Sequence, residues 1–121
     1  IVDDVPENIQ IAMSHLRELD CDFAYATSGE QALERITATR PDLILMDIQL
    51  PEVSGLTVTK WLKEDPELSK IPIVAVTAYA YASDEQKIMQ NGFTGYMPKP
   101  INARQLKTQV LDMLRKRMTL I

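Results

Sequence analysis

The chain predicts an open parallel α/β sheet built from five βα repeats, and three observations carry that expectation. Short apolar runs alternate with stretches of helical periodicity along its 121 residues. One run, Leu43-Ile44-Leu45-Met46, is continuously apolar, as suits a central strand covered by helices on both faces. Polar anchors sit at the ends of the strand-like runs: Asp3-Asp4, Asp47, Thr77 and Lys99. In a sheet of parallel strands the C-terminal ends meet in one crevice. Three carboxylates, one hydroxyl and one ammonium therefore converge, a set suited to a divalent cation and a phosphoryl group.

The elements follow in order. Ile1-Val2 reads as the end of a first strand. Two residues are short of a normal strand of about five or six, so several apolar residues are expected upstream. Pro6 opens a helix with Ile9, Ala12, Met13, Leu16 and Leu19 at helical spacing. Phe23-Ala24-Tyr25-Ala26 is a short second strand. Ser28 and Gln31 have the spacing of a capping box, starting a helix with Ala32, Leu33 and Ile36 inward. Leu43–Met46 is the third strand, with Pro51 and Gly55 marking the loop after it. A third helix runs from about Leu56 to Glu64 with Val58, Trp61 and Leu62 as apolar contacts. Ile71–Val76 is the fourth strand, with Pro72 where no ladder donor is needed. Ser83 and Gln86 have capping-box spacing and open a helix through Met89 that stops near Gly92. Thr94–Met97 is the fifth strand, and Pro98 and Pro100 place it at an edge. Asn102 caps a last helix with Leu106, Val110, Leu111 and Leu114 inward. One compact domain, 1–121, accounts for the chain.

Composition narrows the function. The chain is 45% hydrophobic and 25% charged, as in an ordinary globular domain, and no run approaches the length of a membrane span. A net charge of -4 argues against nucleic-acid binding. The one basic cluster, Arg115-Lys116-Arg117, reads as a solvated helix end that complements the dipole. A single cysteine, Cys21, excludes an internal disulfide, points to a cytoplasmic setting, and reads as packed rather than reactive. The single histidine, His15, reads as a surface residue rather than a phosphodonor. With one His and one Cys, zinc is a poor fit. No glycine-rich phosphate loop occurs among four glycines.

The strand-end residues carry the chemistry. Asp47 follows four buried apolar residues, has poor access to water, and needs a cation or donors beside it. Converging carboxylates repel, and a divalent cation relieves that repulsion. Mg²⁺ fits best, because it takes oxygen ligands and keeps several waters. Lys99 lies between two prolines that fix its backbone direction, and a cis Lys99–Pro100 bond is compatible with a tight turn there. Its ammonium can hold a phosphate oxygen, and the Thr77 hydroxyl can donate to the same group.

On these residues the chain resembles receiver domains of two-component response regulators. The matching segments are Ile1-Val2-Asp3-Asp4, Leu43 to Pro51 with Gly55, Val76-Thr77-Ala78, and Gly95-Tyr96-Met97-Pro98-Lys99-Pro100. The resemblance covers essentially the whole chain and implies a flavodoxin-like (βα)₅ doubly wound parallel sheet with strand order 2-1-3-4-5. It implies Asp47 as phosphoacceptor and Asp3 and Asp4 as the acidic pair, Asp4 a direct Mg²⁺ ligand and Asp3 acting through water. It implies the backbone carbonyl of Gln49 as a further ligand, Lys99 on a phosphoryl oxygen, and Thr77 and Tyr96 as switch residues. Ala78 is small, as the resemblance expects, and the side chains of Gln49 and Tyr79 hold positions that tune dephosphorylation. Val5-Pro6-Glu7-Asn8 is a variant stretch. It and Thr77-Ala78-Tyr79-Ala80 point to receivers of hybrid kinases or stand-alone regulators. The implied partner is a histidine kinase or histidine phosphotransfer protein. Output is expected through the fourth helix, fifth strand and last helix, to an output domain, a kinase in the same chain, or a homodimer partner. No membrane or nucleic-acid partner is expected through this domain.

Three other readings compete. A hydrolase of the haloacid-dehalogenase type wants a second aspartate two residues after the nucleophile, and Gln49 stands there. A pseudo-receiver usually lacks part of the acidic set or the lysine, and all are present. A DNA-binding regulator would need its reading helix outside this chain.

Overall fold

A computed structural model describes residues 1–19, 21–78 and 82–118, with side chains omitted at 82–85 and 116–118. Three parallel strands form the hydrogen-bonded sheet: β1 (Ile44–Asp47), β2 (Ile73–Thr77) and β3 (Gly95–Pro98), in the order β1-β2-β3. Two further segments extend it as single bridges. Val2 pairs in parallel with both Ala26 and Met46, so the two N-terminal segments lie outside β1. The spatial order is thus the expected 2-1-3-4-5, in a flavodoxin-like α/β fold.

The Phe23–Ala26 strand is a correction: only Ala26 bridges, and Ala24 and Tyr25 are exposed. A strand pairs only along the length of its neighbour, and Ile1-Val2 offers two residues. The later strands are shifted in register from expectation, taking in Thr77 and Pro98 at their C-terminal ends.

Among the described residues five α-helices cover the two faces: α1 (Pro6–Leu16), α2 (Gly29–Thr39), α3 (Gly55–Glu64), α4 (Ala82–Gln90) and α5 (Ala103–Met118). Side chains alternate across the strands. Ile44, Met46, Ile73 and Ala75 join Ala32, Ile36, Val58, Leu62 and Ile88 in a core under α2, α3 and α4. Leu45, Val74, Val76 and Met97 join Ala12, Leu16, Leu106 and Val110 under α1 and α5. Caps set the helix starts. Pro6 stands in the first turn of α1, Ser28 Oγ accepts from Gln31 N, Ser54 Oγ accepts from Thr57 N, and Asn102 Oδ1 accepts from Gln105 N. Gln31 departs from the capping-box pattern, because its Oε1 accepts from Thr27 N rather than from Ser28 N. The cap expected at Ser83 lies outside the described side chains.

Trp61 and Met89 are not core residues; they are 37% and 44% exposed. Leu111 and Leu114 are half-buried. Among the described residues no helix is long and apolar enough to cross a membrane.

Candidate functional site

The crevice forms because parallel strands end together. β1 delivers Asp47 at its last position, β2 delivers Thr77, and the loop after β3 delivers Lys99. The bridge at Val2 brings Asp3 and Asp4 beside them: Asp47 N donates to Val2 O at 2.9 Å, and Asp3 N to Ala26 O at 3.0 Å. Asp3, Asp4 and Asp47 present carboxylate oxygens that all lie within 4.8 Å of one another. Asp3 and Asp47 are buried and Asp4 is exposed, so the cluster has one open side.

Lys99 links the two buried carboxylates. Its Nζ lies 3.0 Å from Asp47 Oδ2 and 3.2 Å from Asp3 Oδ2. The remaining oxygens are held by backbone donors. Asp47 Oδ1 accepts from Gln49 N at 2.9 Å, and Asp3 Oδ1 accepts from Val5 N at 2.9 Å. Asn8 Nδ2 adds a longer contact to Asp3 Oδ1, 3.5 Å. Lys99 itself is fixed by its backbone. Pro98 has no N–H, and the next donor, Lys99 N, bonds Thr77 O at 2.8 Å. The Lys99–Pro100 bond is cis.

Electrostatics separates the partners. Burial pushes the Asp47 carboxyl above its ordinary value of 3.8; the Gln49 N–H and the Lys99 ammonium pull it down without cancelling the rise, and the Asp3 charge adds to it. Burial opposes the charge on Lys99, but its hydrogen bonds and attraction to Asp47 and then Asp3 hold its pKa above 10.5. The asymmetry follows exposure: the Asp47 side chain is 2% exposed and that of Lys99 20%.

Thr77 is buried and stands opposite Pro98 in the register. Tyr96 is half-buried and packs against the core under α2, α3 and α4, on the face of β3 opposite Met97. Gln49 is exposed, as is Ala78. Tyr79 lies outside the described residues. His15 stands in the last turn of α1, and the Cys21 thiol donates to Leu19 O at 3.5 Å.

Gly55 marks the loop after the third strand and belongs to the segments that carry the resemblance, and its packing explains why a glycine stands there. A Cβ there would lie 2.3 Å from Asp47 O and 2.9 Å from Ile48 Cα. The start of α3 therefore presses on the backbone of Asp47 itself, with Gly55 N donating to Ile48 O at 2.9 Å. A glycine directly after the Ser54 cap was the available signal.

Comparison with known proteins identifies the family and the fold. The model of the response regulator receiver domain matches residues 1–111. The polar-differentiation response regulator DivK of Brucella anthropi is 50% identical over 102 residues, covering 81% of this chain and 83% of that protein. The signal receiver domain of a signal transduction histidine kinase from Syntrophus aciditrophicus superposes with a TM-score of 0.88 at 27% identity, covering 99% of this chain and 91% of that one. The receiver domain of a sensor histidine kinase from Pseudomonas aeruginosa, with a magnesium ion coordinated in its active site cleft, gives 0.85 at 29%, covering 94% and 93%. With its strand-end crevice and this match, the chain belongs to the response regulator receiver domain family, the phosphorelay modules of two-component signalling.

Proposed function

We propose that this domain accepts a phosphoryl group onto the Asp47 carboxylate from a phosphohistidine of a histidine kinase or histidine phosphotransfer protein. The observation that carries the reading is the buried pair of carboxylates bridged by one ammonium, with Lys99 Nζ 3.0 Å from Asp47 Oδ2 and 3.2 Å from Asp3 Oδ2.

The donor set fits Mg²⁺: three carboxylates within 4.8 Å and no soft ligand among them. Asp3, Asp4, Asp47 and the Gln49 carbonyl would hold it, Asp4 directly and Asp3 through water. When bound, the ion offsets the carboxylate repulsion and the charge on the phosphoryl oxygens. Asp47 attacks phosphorus in line; the new O–P bond forms as the P–N bond to the imidazole breaks, and the imidazole leaves with the electron pair. Lys99 keeps its ammonium on the phosphoryl oxygens, and the Thr77 hydroxyl donates to one of them. The product is an acyl phosphate, labile enough for a timed signal.

The added charge draws Thr77 toward the phosphoryl group, and Tyr96 fills the space released. The face made by α4, β3 and α5 then changes. It passes the signal to an output domain or kinase in the same chain, or to a second copy, in the cytoplasm. Thr77→Ala is expected to leave the Asp47 phosphoryl adduct able to form while weakening the downstream response. An undiminished response would remove Thr77 from the switch.

The test is intact mass after incubation with Mg²⁺ and phosphoramidate, comparing wild type with Asp47→Asn. One Mg²⁺-dependent phosphoryl adduct, absent in the variant, supports the reading. A folded wild type with no adduct and no beryllofluoride binding would instead favour a pseudo-receiver.

A further inference from the structure

Gln109 lies on α5 beside the buried Val110 and three residues after the buried Leu106. Its Nε2 donates to the Tyr96 carbonyl at 3.2 Å, joining α5 to the backbone of β3. A separate contact lies one residue earlier. A Cβ built on Gly95 would come within 3.2 Å of Met113 Cε and 3.3 Å of both Gln109 Oε1 and Val74 Cγ2. The bare backbone at Gly95 therefore lets the Met113 and Gln109 side chains of α5 close directly on the strand, and a Cβ there would make them give by a few tenths of an ångström. The strand so gripped leads straight into Lys99, whose N–H bonds Thr77 O and whose ammonium bridges Asp3 and Asp47.

We infer that Gln109 is a positioning residue that locks α5 to β3 at Tyr96, so that strand and helix shift as one body when the crevice is loaded. The inference rests on the reading of Asp47 as acceptor and Tyr96 as switch, and it names how that switch reaches the surface. Among the described residues no hydrogen bond or ion pair joins Gln109 to the carboxylates or Lys99, so it acts on transmission and not on loading. Its hydrogen bond ends on a backbone carbonyl and so survives any rotamer change of the Tyr96 ring. That makes it a mechanical tie to the strand rather than a sensor of the ring.

The experiment follows backbone amide shifts in the whole chain as beryllofluoride and Mg²⁺ are added. Wild type is compared with Gln109→Leu and Gln109→Glu. Both keep the approximate volume of the side chain, and neither the leucine nor the ionised glutamate can donate to the carbonyl. Expected is beryllofluoride affinity within about two-fold of wild type, with the shift changes in α5 reduced by roughly half and those around Asp47 and Thr77 retained. Changes in α5 equal to wild type in both variants would overturn the inference. A wild type that shows no changes around Asp47 would instead sink the receiver reading beneath it.

A second readout needs no loading. In the resting protein, hydrogen exchange of α5 amides should quicken roughly five-fold in the variants relative to α2, the effect of losing one net hydrogen bond. Unchanged exchange in whichever variant folds would likewise refute the tie.

Discussion

At Gly55 and Asp47 a single atom decides the outcome. The Cβ of Gly55→Ala would stand 2.3 Å from Asp47 O, a backbone atom that cannot swing aside. The start of α3 must retreat from the end of β1, at a cost of about 3 kcal/mol, or a Tm lower by roughly 10 °C. Gly29→Ala is the comparison. Its Cβ meets Val58 Cγ2 at 2.9 Å and Val53 Cβ and O at 3.1 Å, all looser than the 2.3 Å approach at Gly55, so it should be milder. Equal losses in thermal melts would show that the 2.3 Å approach is unimportant. Asp47 carries a different liability. Its folded-state pKa lies above the 3.8 of the unfolded chain, so the folded protein holds this proton more tightly. Ionisation therefore lowers stability as pH rises between those two values, and the cost stays constant above them. With divalent cations removed by a chelator, Asp47→Asn should melt higher than wild type at neutral pH. The gap should close as pH falls toward 3.8. A wild type that melts higher than the variant at pH 7 would contradict this. These residues differ in how far sequence alone reveals them. Asp47 announces itself by following four apolar residues. Gly55 shows only as a glycine at a helix start, because nothing in a string of letters gives the distance between that start and a neighbouring carbonyl.

Among the elements, alternation and capping were readable where a strand or helix is long enough to enforce them. β1 and β2 are buried at every position, as their continuous apolar runs require. Phe23–Ala26 has the right residues for a strand, but pairing depends on a partner's length, which local sequence does not carry. On α3 the buried arc runs from Val58 through Leu62 and Gly55 to Thr59, and Trp61 falls outside it. Pattern reading favoured the bulky indole, whereas tight packing on the sheet took the two small residues. The cap of α2 shows what local chemistry does fix. Ser28 Oγ accepts from Gln31 N at 3.2 Å, and Gln31 Oε1 returns a bond from Thr27 N at 2.7 Å. Ser28→Ala should lower stability by about 1 kcal/mol, roughly 4 °C in Tm, without altering the phosphoryl adduct proposed for Asp47. A melt unchanged within a degree would show the cap to be dispensable.

Across the whole molecule, folding and site assembly are the same event, because the crevice draws on residues separated along the chain and joined only by the sheet. Asp3 and Asp4 arrive through the Val2 bridges, Asp47 through β1, and Lys99 through the loop after β3. The unfolded chain has no such convergence, so an ion that binds the crevice stabilises the fold by mass action. At a hundredfold excess over Kd the gain is about 2.7 kcal/mol, roughly 10 °C in a domain of this size. Asp4 separates this effect from the internal ion pairs. It is the exposed member of the acidic cluster, whereas Lys99 bridges the two buried ones. Asp4→Asn should therefore keep the wild-type Tm in chelator, within about 2 °C, while losing most of the rise on adding Mg²⁺. Melts of both proteins with and without Mg²⁺ decide it. An Asp4→Asn protein that still gains the full increment would place the ion elsewhere. One that is already destabilised in chelator would show Asp4 to be a structural residue of the crevice.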